Sequence, residues 1–200
     1  MMASVAKESF SDPDWIFETK LDGFRAIAVI DSVGRARLWS RNRLSLEPKF
    51  PMVLDAVDQL KLRSTILDGE IVALDAMGIP RFQLLQKWQK RPTAPVVLYL
   101  FDVLWSDGRD LTCKTVPQRR EHLEQIITPM PGIQVGGYIE NRGKELFALA
   151  KEKGLEGTGF SERGLKETID RLKPLFTDKP TVENPPDIPE KIQCLGRRLS

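Results

Sequence analysis

Glu18-Thr19-Lys20-Leu21-Asp22-Gly23-Phe24-Arg25 lies between two short apolar runs, Trp15-Ile16-Phe17 and Phe24 to Ile30. Each run has the length and the aromatic and β-branched content of a strand, and Asp22-Gly23 reads as the turn that joins them in a hairpin. Lys20 then stands at the end of a strand, flanked by a carboxylate at Glu18 and a guanidinium at Arg25. A lysine so placed is a candidate nucleophile, its amine available for covalent chemistry. The same stretch also suits a solvated edge strand. The order of motifs further along the chain decides between the two.

With 200 residues, 41% hydrophobic and 29% charged, the chain can bury one good core and has the composition of a soluble globular protein. No apolar run reaches membrane-spanning length, and Met1 to Phe10 lacks the basic start and apolar block of a secretory signal. A cytoplasmic protein with no membrane association is expected. The formal net charge of +2 permits nucleic-acid binding but does not imply it. Cys113 and Cys194 are far apart and belong to no metal-binding array, and a histidine base has one candidate, His122, which reads as a solvated or half-buried helix residue.

Beyond the opening stretch, Ala36 to Ser40 reads as a strand left through Ser40-Arg41-Asn42-Arg43. Arg35, Arg37, Arg41 and Arg43 share one face of an extended segment, either a phosphate-facing patch or a solvated edge. Pro51 to Leu60 fits a helix with Val53, Leu54, Val57 and Leu60 as its apolar stripe. Thr65 to Asp75 is a strand apolar on both faces, which predicts that both are covered and that Glu70 points into an enclosed region. A carboxylate there is costly without a cation, a hydrogen-bonding ligand or a basic side chain to meet it.

Arg81 to Lys90 reads as a helix whose Trp88 packs inward. Val96 to Trp105 is the most apolar run and reads as a buried central strand, with Phe101 either core or a platform for a planar ring. Val116 to Ile127 is an amphipathic helix, Leu123, Ile126 and Ile127 inward and Arg119-Arg120 outward. Ile133 to Glu140 reads as one strand. Lys144 to Lys153 reads as a helix with Leu146, Phe147, Leu149 and Ala150 on its apolar side, ended by Gly154 and followed by Leu155-Glu156-Gly157.

Lys20-x-Asp22-Gly23-x-Arg25, Ser40-Arg41-Asn42, Asp68-Gly69-Glu70, Tyr99-x-Phe101-Asp102 and Glu156-Gly157 follow one another in this order. In that order and at those spacings they resemble the motifs of the ATP-dependent DNA ligases, and the region from about Trp15 to Gly157 is most similar to the ligase part of the bacterial nonhomologous end-joining enzymes. The resemblance implies an α+β fold of two largely antiparallel sheets with flanking helices, the ATP-grasp-like nucleotidyltransferase domain. It also implies that Lys20 attacks the α-phosphorus of ATP, forming lysyl-AMP for transfer to a 5′-phosphate at a DNA nick. On the same basis Arg25 and Arg41 hold phosphate or ribose oxygens, Glu18 meets the adenine edge and Phe101 its face. Glu70 holds the ribose hydroxyl or a metal-bound water, and Glu70 and Glu156 serve Mg²⁺. The implied partners are DNA with nicks or double-strand breaks and end-joining proteins, with the chain acting as a monomer in repair and recombination.

After Gly157 the sequence departs from the family. Ligases continue through an apolar strand to a lysine and later carry a Lys-x-Lys strand at the triphosphate, whereas this chain reads Thr158-Gly159-Phe160-Ser161. The expected organisation is an adenylation domain over 1–157 lacking its last strands, fused by an internal deletion to 158–200. That second region reads as the truncated start of an oligonucleotide-binding (OB) domain, with a helix over 162–172 and a Pro-rich extended tail. Activity is then expected to be impaired, since stabilisation of the leaving pyrophosphate is a large share of such catalysis. The alternatives are a non-catalytic ligase-derived fragment that binds DNA or a partner, and an RNA-ligase or capping-type nucleotidyltransferase.

Overall fold

The computed structural model describes residues 8–88, 90, 92–153, 155 and 157–162. Its strands are β1 (Trp15–Lys20), β2 (Phe24–Ile30), β3 (Ala36–Ser40), β4 (Thr65–Ala73), β5 (Val96–Ser106), β6 (Arg109–Asp110), β7 (Ile133–Val135), β8 (Tyr138–Glu140) and β9 (Gly157–Glu162). The helices are α1 (Pro51–Gln59), α2 (Phe82–Trp88), α3 (Val116–Ile126) and α4 (Gly143–Glu152). The fold is α+β, with the strands in two sheets. The larger runs β3-β2-β4-β5-β6 with β7 beside β5, and the smaller runs β8-β1-β9. All pairings are antiparallel except β5 with β7.

β1 and β2 are not a hairpin. β1 pairs with β8 and β9 in the small sheet, while β2 pairs with β3 and β4 in the large one, so Leu21-Asp22-Gly23 is the crossing between sheets. Gly23 makes that crossing possible. A Cβ there would sit 2.2 Å from the Ile71 carbonyl oxygen, closer than any side chain tolerates. The expected strand over 133–140 is likewise two strands in two sheets, β7 and β8, divided at Gly136-Gly137. Alternation in a short apolar run reports that the backbone is extended, not which partner it finds.

One face of the large sheet carries the main core: Ala26, Ala28 and Ile30 of β2, Leu67 and Ile71 of β4, and Leu98 and Leu100 of β5 pack with Val53, Ala56 and Val57 of α1, Leu85 of α2 and Leu123 of α3. Pro51 starts α1 where its missing N–H costs nothing, and the Gln118 side chain accepts the Thr115 N–H at 3.1 Å at the start of α3. Trp88 turns inward as expected, its Nε1 donating to the Ala94 carbonyl at 3.0 Å. β4 is covered on both faces along nearly its whole length.

Two assignments of helix faces are corrected. Arg119 and Arg120, expected in water, are 1% and 2% exposed. On α4, Phe147 and Leu149, expected to be inward, are 43% and 45% exposed, and Ala150 is the buried member. β9 carries the chain across the division drawn at Gly157: it runs beside β1 from Trp15↔Glu162 to Lys20↔Gly157, so residues through Glu162 belong to the small sheet. The expected helix over 162–172 and the tail lie outside the described residues.

Candidate functional site

Three buried or half-buried arginines, Arg25 on β2 and Arg119 and Arg120 on α3, organise the site. Arg25 enters from β2, where its Cα partner on β4 is Glu70. Its Nε and Nη2 donate to the two carboxylate oxygens of Asp68 at 2.6 Å each. Asp68 is 1% exposed, and this fork sets a cation directly against it. Burial raises the Asp68 carboxyl against the pull of Arg25, and Asp102 adds to the rise. The Arg25 guanidinium also lies over the Phe101 ring, 4.3 Å from its centroid.

Glu70 is half-buried between Arg25 on β2 and Tyr99 on β5, its Cα partners. Burial pushes its carboxyl up to about 7 against the pull of Arg25, with Asp68 and Asp22 adding to the rise and the Gly23 N–H opposing it. Glu70 is half-buried, in keeping with the enclosed surroundings expected for it, while the ion pair of Arg25 is with Asp68. Between Asp68 and Glu70, Gly69 sits at an irregularity in the β4–β5 register. A Cβ there would be 2.6 Å from the Tyr99 carbonyl oxygen, so the glycine lets β5 and its aromatic residues approach.

α3 supplies the other two. Arg119 Nε and Nη2 donate to Asp102 at 2.8 and 2.7 Å, and its Nη1 donates to the Lys114 carbonyl at 2.8 Å, which anchors the residue next to Phe101. Arg120 forms an ion pair with Glu18 of β1 and donates from Nη1 to the Gly136 carbonyl at 2.9 Å. Its guanidinium carbon is 5.9 Å from the centroid of Phe101 and 5.8 Å from that of Tyr138. Burial pulls the Arg120 pKa down to about 10, with Tyr138 and Glu124 opposing, so it stays charged at neutral pH.

Glu18, Arg25, Glu70 and Phe101 are thus linked through Arg25 and Arg120 across both sheets. Lys20 is the last residue of β1, exposed, two positions along from Glu18 and on the same face of the strand. Arg41 is half-buried in the turn after β3, which the Arg43 N–H closes on the Ser40 carbonyl at 2.9 Å. Since Ala26 pairs with Ser40, Arg41 leaves the sheet at the end where Arg25 enters it. Arg35 and Arg37 pair with Asp31 and Glu47 at 3.1 and 3.4 Å, and both arginines are exposed. Glu156 lies outside the described residues.

A cavity of ≈ 360 Å³ adjoins this region. It takes Tyr99 from β5, Gly136 and Gly137 from the β7–β8 link, Tyr138 and Ile139 from β8, and Phe17 and Thr19 from β1. On β1 these alternate with Glu18 and Lys20, which face the other side of the strand. Glu18, Lys20, Arg25, Glu70 and Phe101 are not among the residues that line this cavity. Arg119 and Arg120 escape recognition in the sequence because a two-arginine step on an amphipathic helix suggests solvent. Their carboxylate partners come from strands distant in sequence.

Solved structures place this architecture in a class. The chain matches a mycobacterial DNA ligase D complexed with ATP and MES with a TM-score of 0.73 at 27% identity, over 84% of this chain and 55% of that one. It matches the ligase domain of LigD from M. tuberculosis with a TM-score of 0.70 at 28% identity, over 85% and 55%. The fold is that of the nucleotidyltransferase domain of DNA ligases. The ATP dependent DNA ligase domain family matches residues 1–157, and the chain belongs to that family.

Among curated relatives, the SPbeta prophage-derived DNA ligase-like protein LigB of Bacillus subtilis (strain 168) is 32% identical over 162 residues, 78% of this chain and 57% of that protein. The multifunctional non-homologous end joining protein LigD of Pseudomonas aeruginosa is 33% identical over 147 residues, 72% of this chain and 17% of that protein. This chain therefore corresponds to part of the length of the relatives it matches. No helix among the described residues is long and apolar enough to cross a membrane.

Proposed function

We propose that this chain is an ATP-dependent adenylyltransferase of the DNA ligase type, with Lys20 as the nucleophile. The observation that carries this reading is that Arg25 and Arg120 link Glu18, Glu70 and Phe101 across the two sheets, with Lys20 two residues from Glu18 on the same face of β1. The Lys20 amine forms a bond to the α-phosphorus of ATP, the bond from that phosphorus to the bridging oxygen of pyrophosphate breaks, and the amine proton passes to solvent. AMP is left on the lysine nitrogen. A 5′-phosphate oxygen of nicked DNA then takes the AMP from Lys20, and the adjoining 3′-hydroxyl displaces AMP to close the strand.

The arrangement suits each part of the nucleotide. Phe101 offers a ring face on a rigid strand for the adenine, and Glu18, held by Arg120, stands at the base edge. Arg25 has Nε and Nη2 occupied by Asp68, which leaves Nη1 to meet a ribose or phosphate oxygen. Arg41 adds positive charge at the same end of the sheet. Glu70 accepts a ribose hydroxyl, or a metal-bound water when it is ionised.

Mg²⁺ fits this donor set. Among the described residues no group of three His, Cys, Asp or Glu side chains is placed to hold a metal. A hard cation that keeps waters and uses one or two carboxylates plus phosphate needs no such cage, and Glu70, with Glu156 by sequence, is the candidate carboxylate. When bound, the ion offsets charge developing on the phosphate oxygens. We place the substrate at nicks or double-strand breaks in DNA, with end-joining proteins as partners.

The test is incubation with ATP labelled at the α-phosphate and Mg²⁺. Covalent label on the wild-type chain, absent from Lys20→Ala and not produced by labelled GTP, supports the reading. An unlabelled wild type overturns it and leaves a DNA-binding or partner-binding fragment, for which a nicked-duplex gel shift that weakens with salt is the measurement.

A further inference from the structure

Arg120 is a buried cation that touches both sheets. From α3 it reaches Glu18 on β1 by an ion pair, the Gly136 carbonyl in the β7–β8 link at 2.9 Å, and the neighbourhood of the Phe101 ring on β5 at 5.9 Å. β1 belongs to the small sheet and β5 to the large one, so this one guanidinium ties together the two strands that carry the base-binding pair. Arg119, its neighbour, is clamped to Asp102, the residue after Phe101. α3 therefore fixes both the ring and the carboxylate.

The hydrogen bonding of Arg120 is not that of a purely structural charge. Its Nε is buried without a hydrogen-bond partner among the described residues, as is the Glu18 Oε1 with which Arg120 forms its ion pair, whereas Arg119 has all three of its nitrogens occupied. A buried donor left unmatched beside a well-matched one is expected where the side chain is held for its position.

We infer that Arg120 is a positioning residue for ATP: it holds the Glu18 carboxylate in place at the base edge while Phe101 presents its face. It acts through Glu18 and does not itself take part in the transfer. This rests on the proposed roles of Glu18 and Phe101 in binding adenine, and the two fail separately. If wild type takes no label from ATP, the adenylyltransferase reading fails; if wild type is labelled, the Arg120 variants decide on Arg120 alone.

The experiment measures the rate of Lys20 labelling against ATP concentration for wild type, Arg120→Met, Arg120→Lys, Glu18→Gln and the two Arg120 variants combined with Glu18→Gln. Arg120→Met is expected to raise the ATP concentration for half-maximal rate about tenfold while the saturated rate stays within about threefold. Arg120→Lys, which keeps the charge but loses the planar fork, recovers part of that loss. In the Glu18→Gln background the Arg120 substitutions add little, because the two residues act as one unit. Equal ATP dependence in wild type and Arg120→Met, or full additivity with Glu18→Gln, overturns the inference. Should Arg120→Met not fold, Arg120→Lys crossed with Glu18→Gln decides the matter by the same criterion: non-additivity supports the inference and full additivity overturns it.

Discussion

The Arg25 guanidinium lies 4.3 Å from the centroid of Phe101 while its Nε and Nη2 donate to Asp68 at 2.6 Å. One side chain thus covers a face of the aromatic platform and compensates a carboxylate that water hardly reaches. Removing it costs twice. Arg25→Met leaves Asp68 buried without its cation, and a loss of about 3–5 kcal/mol of stability is expected, as for other broken buried pairs. Urea denaturation checks this. The double variant Arg25→Met, Asp68→Asn should recover a large part of the stability but none of the labelling, and a loss below about 1 kcal/mol in the single variant would show that Asp68 is compensated elsewhere.

Glu70 makes stability depend on pH with a definite sign. Its folded-state carboxyl is raised from 4.5 to about 7, so between those values the folded chain holds more protons at this group than the unfolded chain does. Its contribution is fully present below about pH 4.5 and is lost as pH rises through about 7. An upper limit of about 3 kcal/mol follows from the size of the shift. The stability difference between wild type and Glu70→Gln, followed by denaturation from about pH 4.5 to about pH 8, should move against wild type as pH rises. A flat difference would mean that Glu70 is ionised throughout.

Gly23 is needed for space. Gly23→Ala places a Cβ against the Ile71 carbonyl oxygen and the Glu70 side chain, both on β4. The backbone cannot yield without moving β4, so a loss of about 1–3 kcal/mol is expected, together with a fall in labelling because Glu70 and the path to Lys20 shift together. Thermal melts and the labelling assay read both. Wild-type stability in this variant would mean that the crossing between the sheets is looser than the packing shows.

Lys20 should separate chemistry from folding. Its side chain is exposed, so Lys20→Ala is expected to melt within about 0.5 kcal/mol of wild type while taking no label. Lys20→Arg, which keeps the charge, should be equally inactive because a guanidinium does not deprotonate at neutral pH. Label on either variant would place the nucleophile elsewhere.

Much of this was legible in the chain. β4 was readable as a strand covered on both faces because its two sets of alternate positions are both largely apolar, and Glu70, in the same set as Asp68, was expected in an enclosed region for that reason. α1 and α2 were readable from an apolar stripe and from Trp88. The hairpin drawn through Asp22-Gly23 was not the structure, because a turn signal marks a change of direction without saying whether the next strand rejoins the last. The outward reading of Arg119 and Arg120 failed for a related reason. Periodicity assigns arginine to water by default, and burial of an arginine depends on acceptors that periodicity does not see.

The order of chemical groups along the chain, from Lys20 through Arg25, Glu70 and Phe101, was determined by sequence alone, as was the extended or helical state of most segments. That holds because local preferences and apolar spacing act over a few residues. Tertiary structure decided which strands share a sheet, and therefore that Arg25 stacks on Phe101, that Asp102 holds Arg119 and that Glu18 meets Arg120. Such pairs join residues far apart in the chain, and they persist because a buried charge is tolerated only where the folded backbone delivers its counter-charge.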